Sequence, residues 1–507
     1  MSSLAYAPAR ARRGTASRAL ADAFSEHGSD VLLAVAMAAI ATVLIGFLPK
    51  AFNVDSWLAL VTGRQVAQHG IPANETLTAL AHGRTWIDQQ WLSQLTSYGL
   101  YRVGGLALLG LVNVGLIMLG VGGAVLGARR LGAPARAVML ALPLCAWLMF
   151  PSGEVRTQEF AVPLFVAVAY LLARDGRSPS NRVYWCLPLL VLWANLHGTV
   201  TLGVMLVAIR GVTLVWERRS RLTRSLTAWL RPFALIVGAP LTLLATPYGL
   251  QAVPYYKAML LSSSLRHTVT EWQPIIAFPI LAGGFFVAAA ILLWSFRRNP
   301  ARTTPWDRLS LIAMMLGAFS VNRNTLFFGL EALILLPVSL NLRPGSRPAS
   351  PRAARVNLIA SATALLALLL AIATTFVRPA SSIEFSYQRL GLLHAVQSAT
   401  RSDPSLKVFA DVRFADWLLW RDLSLNGRIA NDARFELLSG EEMNRLQQAF
   451  EANGRNWKQA AEGYGLIVAD RTQEPGMVAG FMHEQGARVL YNDGQRIVIL
   501  RSGREAL

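Results

Sequence analysis

The sequence predicts a mainly α-helical, polytopic membrane protein of about eleven transmembrane helices, followed by a C-terminal soluble α/β domain. Of its 507 residues, 53% are hydrophobic and 15% are charged, which is too apolar for an ordinary soluble enzyme. Apolar segments of helix-spanning length recur along the chain. The last 130 or so residues instead alternate short β-like runs with polar helical stretches.

The distribution of positive charge predicts the topology. The formal net charge is +19, from 48 Lys and Arg against 29 Asp and Glu. Of the basic residues, 23 fall in the N-terminus and five short connectors expected on one side, and eight fall in the loops expected on the other. Because cytoplasmic loops carry the excess of Lys and Arg, we expect a cytoplasmic N-terminus. The charge therefore indicates membrane topology and no nucleic-acid partner.

Residues 1–30 are expected to be a cytoplasmic tail, since no cleavage site follows the first apolar segment. Residues 31–376 form the predicted transmembrane domain. Its eleven apolar segments are roughly 31–49, 105–127, 137–150, 160–173, 183–197, 198–216, 232–247, 275–296, 309–321, 325–342 and 357–376. Several are shorter than the ~20 residues that a straight span needs. The two cysteines, Cys145 and Cys186, lie in these segments and predict no disulfide framework.

The first extracytoplasmic loop, residues 51–104, is large and polar. Asp55 follows the first span by a few residues, and a short amphipathic helix carrying Trp57 is predicted to end at Ile71-Pro72. A second short helix is predicted to begin near Asp88. Trp and Tyr side chains favour the headgroup region. We therefore expect this loop to lie along the membrane surface and to hold the Asp55 carboxylate over the bilayer.

Residues 377–507 are predicted to form the extracytoplasmic α/β domain. The β-like runs cover 407–410, 466–469, 488–491 and 496–500. A polar helix is predicted at Glu441–Asn453. The turn signal Asn492-Asp493-Gly494 predicts a hairpin between the last two strands.

Polar residues near the extracytoplasmic ends of the apolar segments are the candidate site, because ionisable groups there are costly unless solvated or paired. They are Asp55, Asp88, Glu154, Arg156, Glu159, Asn195, His197, His267, Glu271, Arg323 and Asn324. Taken singly, each is more often a solvated helix end or an ion-paired residue. Their concentration on one face favours a functional site.

Two aspartates have competing roles. Asp55 is a candidate general base that removes a proton from an acceptor hydroxyl, and a helix N-cap is the alternative role. For Asp88 the N-cap is the favoured interpretation. Glu271 either positions an acceptor or anchors its loop.

Three cationic or polar residues are candidates for phosphate binding. Arg156 and Arg323 can clamp a phosphate through paired hydrogen bonds, and the alternative is a salt bridge with Glu154 or Glu159. His197 is more often a hydrogen-bonded structural group than a metal ligand, and a phosphate contact is also plausible.

Several common motifs are missing from the sequence. It contains no Gly-rich phosphate loop with its lysine, no CxxC pair, no HExxH and no GxSxG. No second acid follows Asp55 in a D-x-D pattern. The sequence therefore predicts no nucleotide or zinc cofactor, and it does not support a divalent metal site.

Short motifs along most of the chain resemble one family. They are Asp55-Ser56-Trp57, Gly63-Arg64, Ile71-Pro72, Trp86 through Trp91-Leu92, Arg156-Thr157-Gln158, Trp193 to Gly198, Pro247-Tyr248-Gly249, Glu271-Trp272 and Arg323-Asn324. At these residues the chain resembles the GT-C superfamily of polytopic glycosyltransferases, which includes protein O-mannosyltransferases, oligosaccharyltransferase catalytic subunits and lipid-A aminoarabinose transferases. The resemblance is closest to a bacterial branch of that superfamily.

The resemblance implies an inverting transfer from a polyprenyl-phosphate-linked sugar to a glycan, lipid or protein acceptor at the outer face of the bacterial inner membrane. Asp55 matches the family's base, and no cofactor is implied. Arg323, Arg156 and His197 are the expected donor-phosphate ligands. The residues expected to position the acceptor or the loop are Asp88, Glu271, Asn195 and Trp57. The chain departs from its relatives at Gln89-Gln90, where they often carry His-Glu.

Two other functions are also compatible with the sequence. The Gln89-Gln90 departure is compatible with a non-catalytic GT-C-like protein for glycan assembly or binding. A lipid or polysaccharide transporter would predict paired, symmetry-related broken helices, and we find no internal repeat of that kind.

Overall fold

The computed structural model describes residues 28–149, 153–222, 229–261, 269–340, 342, 351–383 and 390–502. The candidate residue His267 lies outside the described residues. Within them, helices dominate the first three quarters of the chain. These helices are α1 (Gly28–Ala51), α2 (Val54–His69), α3 (Trp91–Arg130), α4 (Ala135–Met149), α5 (Ala161–Arg177), α6 (Cys186–Leu196), α7 (Val200–Leu222), α8 (Leu230–Leu241), α9 (Ala252–Leu261), α10 (Pro279–Arg298), α11 (Pro305–Ser320), α12 (Thr325–Ser339) and α13 (Pro351–Val377).

Five of these helices are long and apolar enough to cross a membrane, judged by length and composition. They are α1, α3, α7, α10 and α13. The pair formed by α8 and α9, bent by 97°, is a sixth candidate. The chain is thus a multi-pass membrane protein. A helix occupies each of the eleven predicted apolar segments, but the remaining helices are short, so the number of crossings stays a prediction.

Helix α3 joins the first loop to the bundle. The predicted second short helix begins at Trp91 and continues through 40 residues to Arg130, broken at Gly104 and Gly105. Gly105 has φ +63°, a conformation that glycine adopts without the steric cost of a Cβ. Helix α2 packs closely on α3, because a Cβ at Gly63 would lie 2.1 Å from the Gln94 carbonyl oxygen. This contact fixes the second half of α2 against the first turns of α3.

The opposite end of the bundle contains a network of ion pairs. Arg210, fully buried in α7, donates through Nε to Asp175 Oδ2 at 2.9 Å, and Asp175 also pairs with Arg231. Arg177 pairs with Asp307 at 2.8 Å. These pairs join three of the short basic connectors, at 174–182, 217–231 and 297–308, and they account for Arg210, the arginine that lies within the apolar segment 198–216.

The C-terminal part contains α14 (Ala380–Ile383), α15 (Leu390–Ser402), α16 (Val412–Arg421), α17 (Gly440–Glu451) and α18 (Pro475–Met482), with strands β1 (Val408–Ala410), β2 (Leu466–Asp470), β3 (Arg488–Asn492) and β4 (Arg496–Leu500). The sheet order is β1-β2-β4-β3. β1 and β2 are parallel, and β4 is antiparallel to both β2 and β3. The four runs predicted as strands therefore form one sheet.

The C-terminal part is built onto the first loop. Trp57 and Leu60 of α2 share one hydrophobic cluster with Phe414 and Trp417 of α16. The loop backbone also pairs with residues 429–430, since Ala79 N donates to Ile429 O at 2.7 Å and Leu80 N to Ala430 O at 3.0 Å. Burial of the shared apolar surface holds the two regions together. The segment after residue 430 is thereby brought to the first loop.

Candidate active site

A cavity of about 360 Å³ lies where the first loop, several helix ends and the C-terminal part meet. Six of the residues predicted for the site line it: Asp55, Asp88, Arg156, His197, Glu271 and Arg323. They come from five separate segments of the chain. The structure therefore places in one cavity the polar residues that the sequence distributes over the expected extracytoplasmic loops.

The start of α2 positions Asp55. Asn53 is the N-cap of this helix, with its Oδ1 accepting from Ser56 N at 3.3 Å and its own N–H donating to Ser56 Oγ at 3.1 Å. Asp55 lies inside the first turn, so the alternative that it caps the helix is wrong. Its side chain is 40% exposed and available to a ligand in the cavity.

Arg156 is surrounded by three carboxylates. Its Nε lies 3.2 Å from Asp55 Oδ2, and its two terminal nitrogens pair with Glu154 and Glu271. Burial opposes the charge, but the three carboxylates raise the pKa of Arg156 above its ordinary value. Of the two acids proposed as alternative partners, Glu154 makes the ion pair.

Glu271 pairs with Arg156 and lies within the electrostatic influence of Arg323. Burial would raise the pKa of Glu271, but the positive charges of Arg156 and Arg323 outweigh it and keep that pKa below its ordinary value. Glu271 is therefore ionised where it lines the cavity.

Arg323 is engaged differently from Arg156. Its Nη2 and Nε donate to Gln158 Oε1 at 2.9 and 3.3 Å, and its guanidinium lies 5.8 Å from the centre of the Trp272 ring. Among the described residues, no carboxylate oxygen lies within ion-pair distance of it. Its positive charge is therefore available to an anionic ligand.

His197 is oriented by a short hydrogen-bond chain. Thr199 N donates to His197 Nδ1 at 3.2 Å, and Thr199 Oγ1 lies 2.9 Å from the same nitrogen. Trp193 Nε1 in turn donates to Thr199 Oγ1 at 3.2 Å. Because Nδ1 accepts, this network assigns the ring proton to Nε2. His197 lines the cavity, so Nε2–H is a donor for a ligand there.

Asn195 and Trp57 are not among the residues that line the cavity. Asn195 Oδ1 accepts from Trp91 Nε1 at 3.0 Å, while its Nδ2 donates to Ala245 O at 2.9 Å. Trp57 is fully buried and packs 6.0 Å from the Phe52 ring centre. Both contacts hold the first loop in place and keep these side chains away from a ligand.

Asp88 is a buried residue of the cavity wall. Helix α3 has Gln90 as its N-cap residue, so the prediction that Asp88 caps a helix is wrong. Asp88 is 2% exposed, and its Oδ1 accepts from Gln90 N at 3.3 Å. Burial raises the pKa of Asp88 to about 7, against the opposing effect of Arg434.

Residues 433–436 of the C-terminal part also line the cavity, and sequence reasoning missed them. Arg434 is buried, pairs with Glu75 of the first loop and with Asp432, and lies 4.2 Å from the centre of the Trp86 ring. The neighbouring Glu436 also lines the cavity, and its side chain is exposed. The only local signal was the charged run Asp432 to Glu436, and nothing in it indicates the first loop as its partner.

Neither a protein-family model nor a curated protein sequence matches the chain. Solved structures do match it. ArnT from Cupriavidus metallidurans bound to undecaprenyl phosphate is 16% identical, with a TM-score of 0.53 over 92% of this chain and 97% of that one. The apo oligosaccharyltransferase of Archaeoglobus fulgidus is 12% identical, with a TM-score of 0.53 over 94% of this chain and 75% of that one.

The archaeal oligosaccharyltransferase AglB from Archaeoglobus fulgidus, in complex with an inhibitory peptide and a dolichol-phosphate, is 11% identical. Its TM-score is 0.53 over 94% of this chain and 75% of that one. These matches extend over the helical bundle and the C-terminal part. The chain therefore has the fold of the GT-C glycosyltransferases.

Proposed function

We propose that the protein is a membrane glycosyltransferase that transfers a sugar, with inversion, from a polyprenyl-phosphate-linked donor to an extracytoplasmic acceptor. The observation that carries the proposal is the cavity shared by a partly exposed acid, Asp55, and an arginine without a carboxylate partner among the described residues, Arg323. An acid and a separate cation are the two groups that this reaction requires. The solved structures with lipid phosphates bound support this donor class.

Asp55 is the proposed general base. The oxygen of an acceptor hydroxyl attacks the anomeric carbon while Asp55 takes the hydroxyl proton. The bond from the anomeric carbon to the phosphate oxygen breaks, and polyprenyl phosphate leaves with the bonding electrons. A single displacement of this kind inverts the anomeric centre and needs no cofactor.

Arg323 and His197 are the proposed phosphate ligands. The Arg323 guanidinium and the His197 Nε2–H offer fixed donors to the leaving phosphate, whose negative charge increases in the transition state. Arg156 is not proposed as a phosphate ligand, because its guanidinium already pairs with the carboxylates of Asp55, Glu154 and Glu271. We propose that its role is to orient the Asp55 carboxylate.

We also propose that the transfer requires no divalent metal. The carboxylates of Asp55, Glu154 and Glu271 surround the permanent charge of Arg156, which occupies the position where such a cluster would otherwise hold a cation. Chelation of divalent ions is expected to leave the rate unchanged.

The test uses the purified protein in nanodiscs, supplied with a mixture of undecaprenyl-phosphate sugars and candidate acceptors. Mass spectrometry follows the release of undecaprenyl phosphate by the wild type, Asp55→Asn and the control Asp403→Asn, whose carboxylate is exposed and remote from the cavity. A positioned base contributes about 10²- to 10⁴-fold to the rate, so Asp55→Asn should lose at least the lower value while the control stays active. If Asp55→Asn releases undecaprenyl phosphate at the wild-type rate, the assignment of Asp55 as the base is wrong. Binding of a donor without turnover would favour a non-catalytic glycan-binding protein.

A further inference from the structure

One wall of the cavity is not used by the chemistry proposed above. It is formed by Asp88, Gln89 and Gln94, from the end of the first loop and the first turn of α3. Their exposed fractions are 2%, 5% and 4%. Three polar side chains are thus buried side by side in the lining of a cavity.

Each of the three has an acceptor atom without a partner. Asp88 Oδ2, Gln89 Oε1 and Gln94 Oε1 have no hydrogen-bond donor among the described residues. Buried polar atoms in folded proteins are nearly always paired, and an exception calls for an explanation. Three such exceptions in one cavity wall are explained together if a ligand supplies the missing donors.

The surroundings restrict the kind of ligand. Aromatic side chains of Trp86, Tyr255 and Phe435 line the same cavity. A pocket that combines aromatic faces with a few placed polar groups suits a small ring with polar substituents. An ionised phosphate brings acceptors and no donors, so it cannot satisfy these three oxygens. A sugar brings several hydroxyl donors on one ring.

Gly198 packs against the Gln89 amide, which occupies space that a side chain at residue 198 would need. A Cβ at residue 198 would lie 3.3 Å from Gln89 Oε1 and 3.5 Å from its Nε2. Any larger residue at this position would therefore press on the amide. The glycine that ends the Trp193 to Gly198 motif thus has a steric reason to be there.

We propose that Asp88, Gln89 and Gln94 form a sugar-recognition subsite, whose acceptor atoms receive hydrogen bonds from hydroxyl or amino groups of the transferred sugar. This inference rests on the proposed function and specifies which residues select the sugar. Carboxamide groups both accept and donate, which matches hydroxyl groups in either role. The subsite distinguishes a glycosylated lipid phosphate from the bare lipid phosphate that leaves.

The test compares binding of bare undecaprenyl phosphate with binding of undecaprenyl phosphate linked to a hexose, an N-acetylhexosamine or an aminopentose. Native mass spectrometry measures the affinity of each for the wild type, Gln89→Leu, Gln94→Leu and the control Gln447→Leu, whose side chain is on the surface of α17. Loss of one neutral hydrogen bond should weaken binding of the glycosylated lipid about three- to tenfold. Binding of bare undecaprenyl phosphate should stay unchanged in every variant.

Two further variants separate recognition from folding. Gly198→Ala should reduce the preference for the glycosylated lipid because it displaces the Gln89 amide, although it removes no polar group. Gln89→Glu keeps an acceptor and should retain part of the preference. In the absence of lipid, the thermal midpoint of Gln89→Leu should equal or exceed that of the wild type, because this variant removes an unpaired buried oxygen.

These measurements separate failure of the sugar-recognition subsite from failure of the proposed glycosyltransferase function. If Gln89→Leu and Gln94→Leu keep the wild-type preference, or if the wild type binds bare undecaprenyl phosphate as tightly as every glycosylated form, the subsite is disproved and the lipid-phosphate site stands. A lowered thermal midpoint of Gln89→Leu that parallels its loss of affinity would show a structural role and also overturn the inference. If no lipid phosphate binds the wild type at all, the proposed function fails and the inference fails with it.

Discussion

Arg156 Nε lies 3.2 Å from Asp55 Oδ2, and the same guanidinium pairs with Glu154 and Glu271. One cation is therefore shared by three carboxylates, and this part of the cavity keeps a net negative charge. Arg323 lies close enough to Glu271 to lower its pKa, and the described residues place no carboxylate within ion-pair distance of it. The cavity thus has an acidic side and a cationic side, which correspond to the acceptor hydroxyl and the phosphate of the proposed reaction.

Replacing Arg156 by Met should destabilise the protein and stop turnover. Three carboxylates would be left close together without a cation, and removing one partner of a largely buried ion pair costs about 3–5 kcal/mol. We expect a loss of about 2–4 kcal/mol, because the three acids are partly exposed to solvent. Thermal unfolding in nanodiscs measures the loss.

The control for this prediction is Arg455→Met on the exposed surface, which should change the unfolding free energy by less than about 0.5 kcal/mol. A double variant, Arg156→Met with Glu271→Gln, should recover part of the lost stability because it removes one of the repelling charges. Wild-type stability of Arg156→Met would show that the carboxylates do not depend on this arginine.

The sequence predicted, for a physical reason, several of the polar residues that the structure gathers in one cavity. Ionisable residues at the ends of apolar helices are costly, so Asp55, Arg156 and Arg323 stand out against their surroundings. Hydropathy likewise predicted a helix in each apolar segment, since burial of apolar surface dominates these regions. It could not settle how many helices cross the membrane, because several segments are shorter than a straight span.

Local pattern could not predict which of two similar residues would take a given role. Asn53 and Asp55 are both favoured N-caps and stand two residues apart, and only the backbone conformation assigns the cap to Asn53. Arg156 and Arg323 were equivalent candidates for phosphate until side-chain geometry showed carboxylates around one of them. Arg434 reaches the cavity through pairing between residues about 350 positions apart, which no local pattern records.

Replacing Arg323 by Gln should weaken binding of undecaprenyl phosphate. Hydrogen bonds to a charged group contribute about 1.5–3 kcal/mol, so we expect a loss of about 10- to 100-fold in affinity, measured by native mass spectrometry. Arg323→Lys keeps the charge but loses the paired geometry, so its affinity should lie between those of the wild type and Arg323→Gln. Unchanged affinity of Arg323→Gln would remove this residue from the proposed phosphate site.

Replacing Arg434 by Met should loosen the C-terminal part from the first loop. Arg434 is buried against Glu75 and Asp432, and the variant would leave both acids without their cation, at a cost of about 3–5 kcal/mol. The matched comparison is Arg84→Met, which breaks an ion pair with Glu442 between the same two regions. Because the Arg84 side chain is 39% exposed, this variant should cost only about 0.2–1 kcal/mol. Equal losses in thermal unfolding of the two variants would contradict the buried role of Arg434.

The stability of the protein should fall as the pH rises through neutrality, and Asp88 should account for part of the fall. Burial raises the pKa of Asp88 from an ordinary value near 4 to about 7 in the folded protein, so between these values the folded state binds more protons than the unfolded state. Stability from this group is therefore complete below about pH 4 and is lost as the pH rises through about 7. Asp88→Asn, which cannot ionise, should show a flatter dependence of the unfolding midpoint on pH between about 4 and 7, the range over which the wild type loses this contribution. A wild-type slope in Asp88→Asn would show that the pH dependence arises elsewhere in the chain.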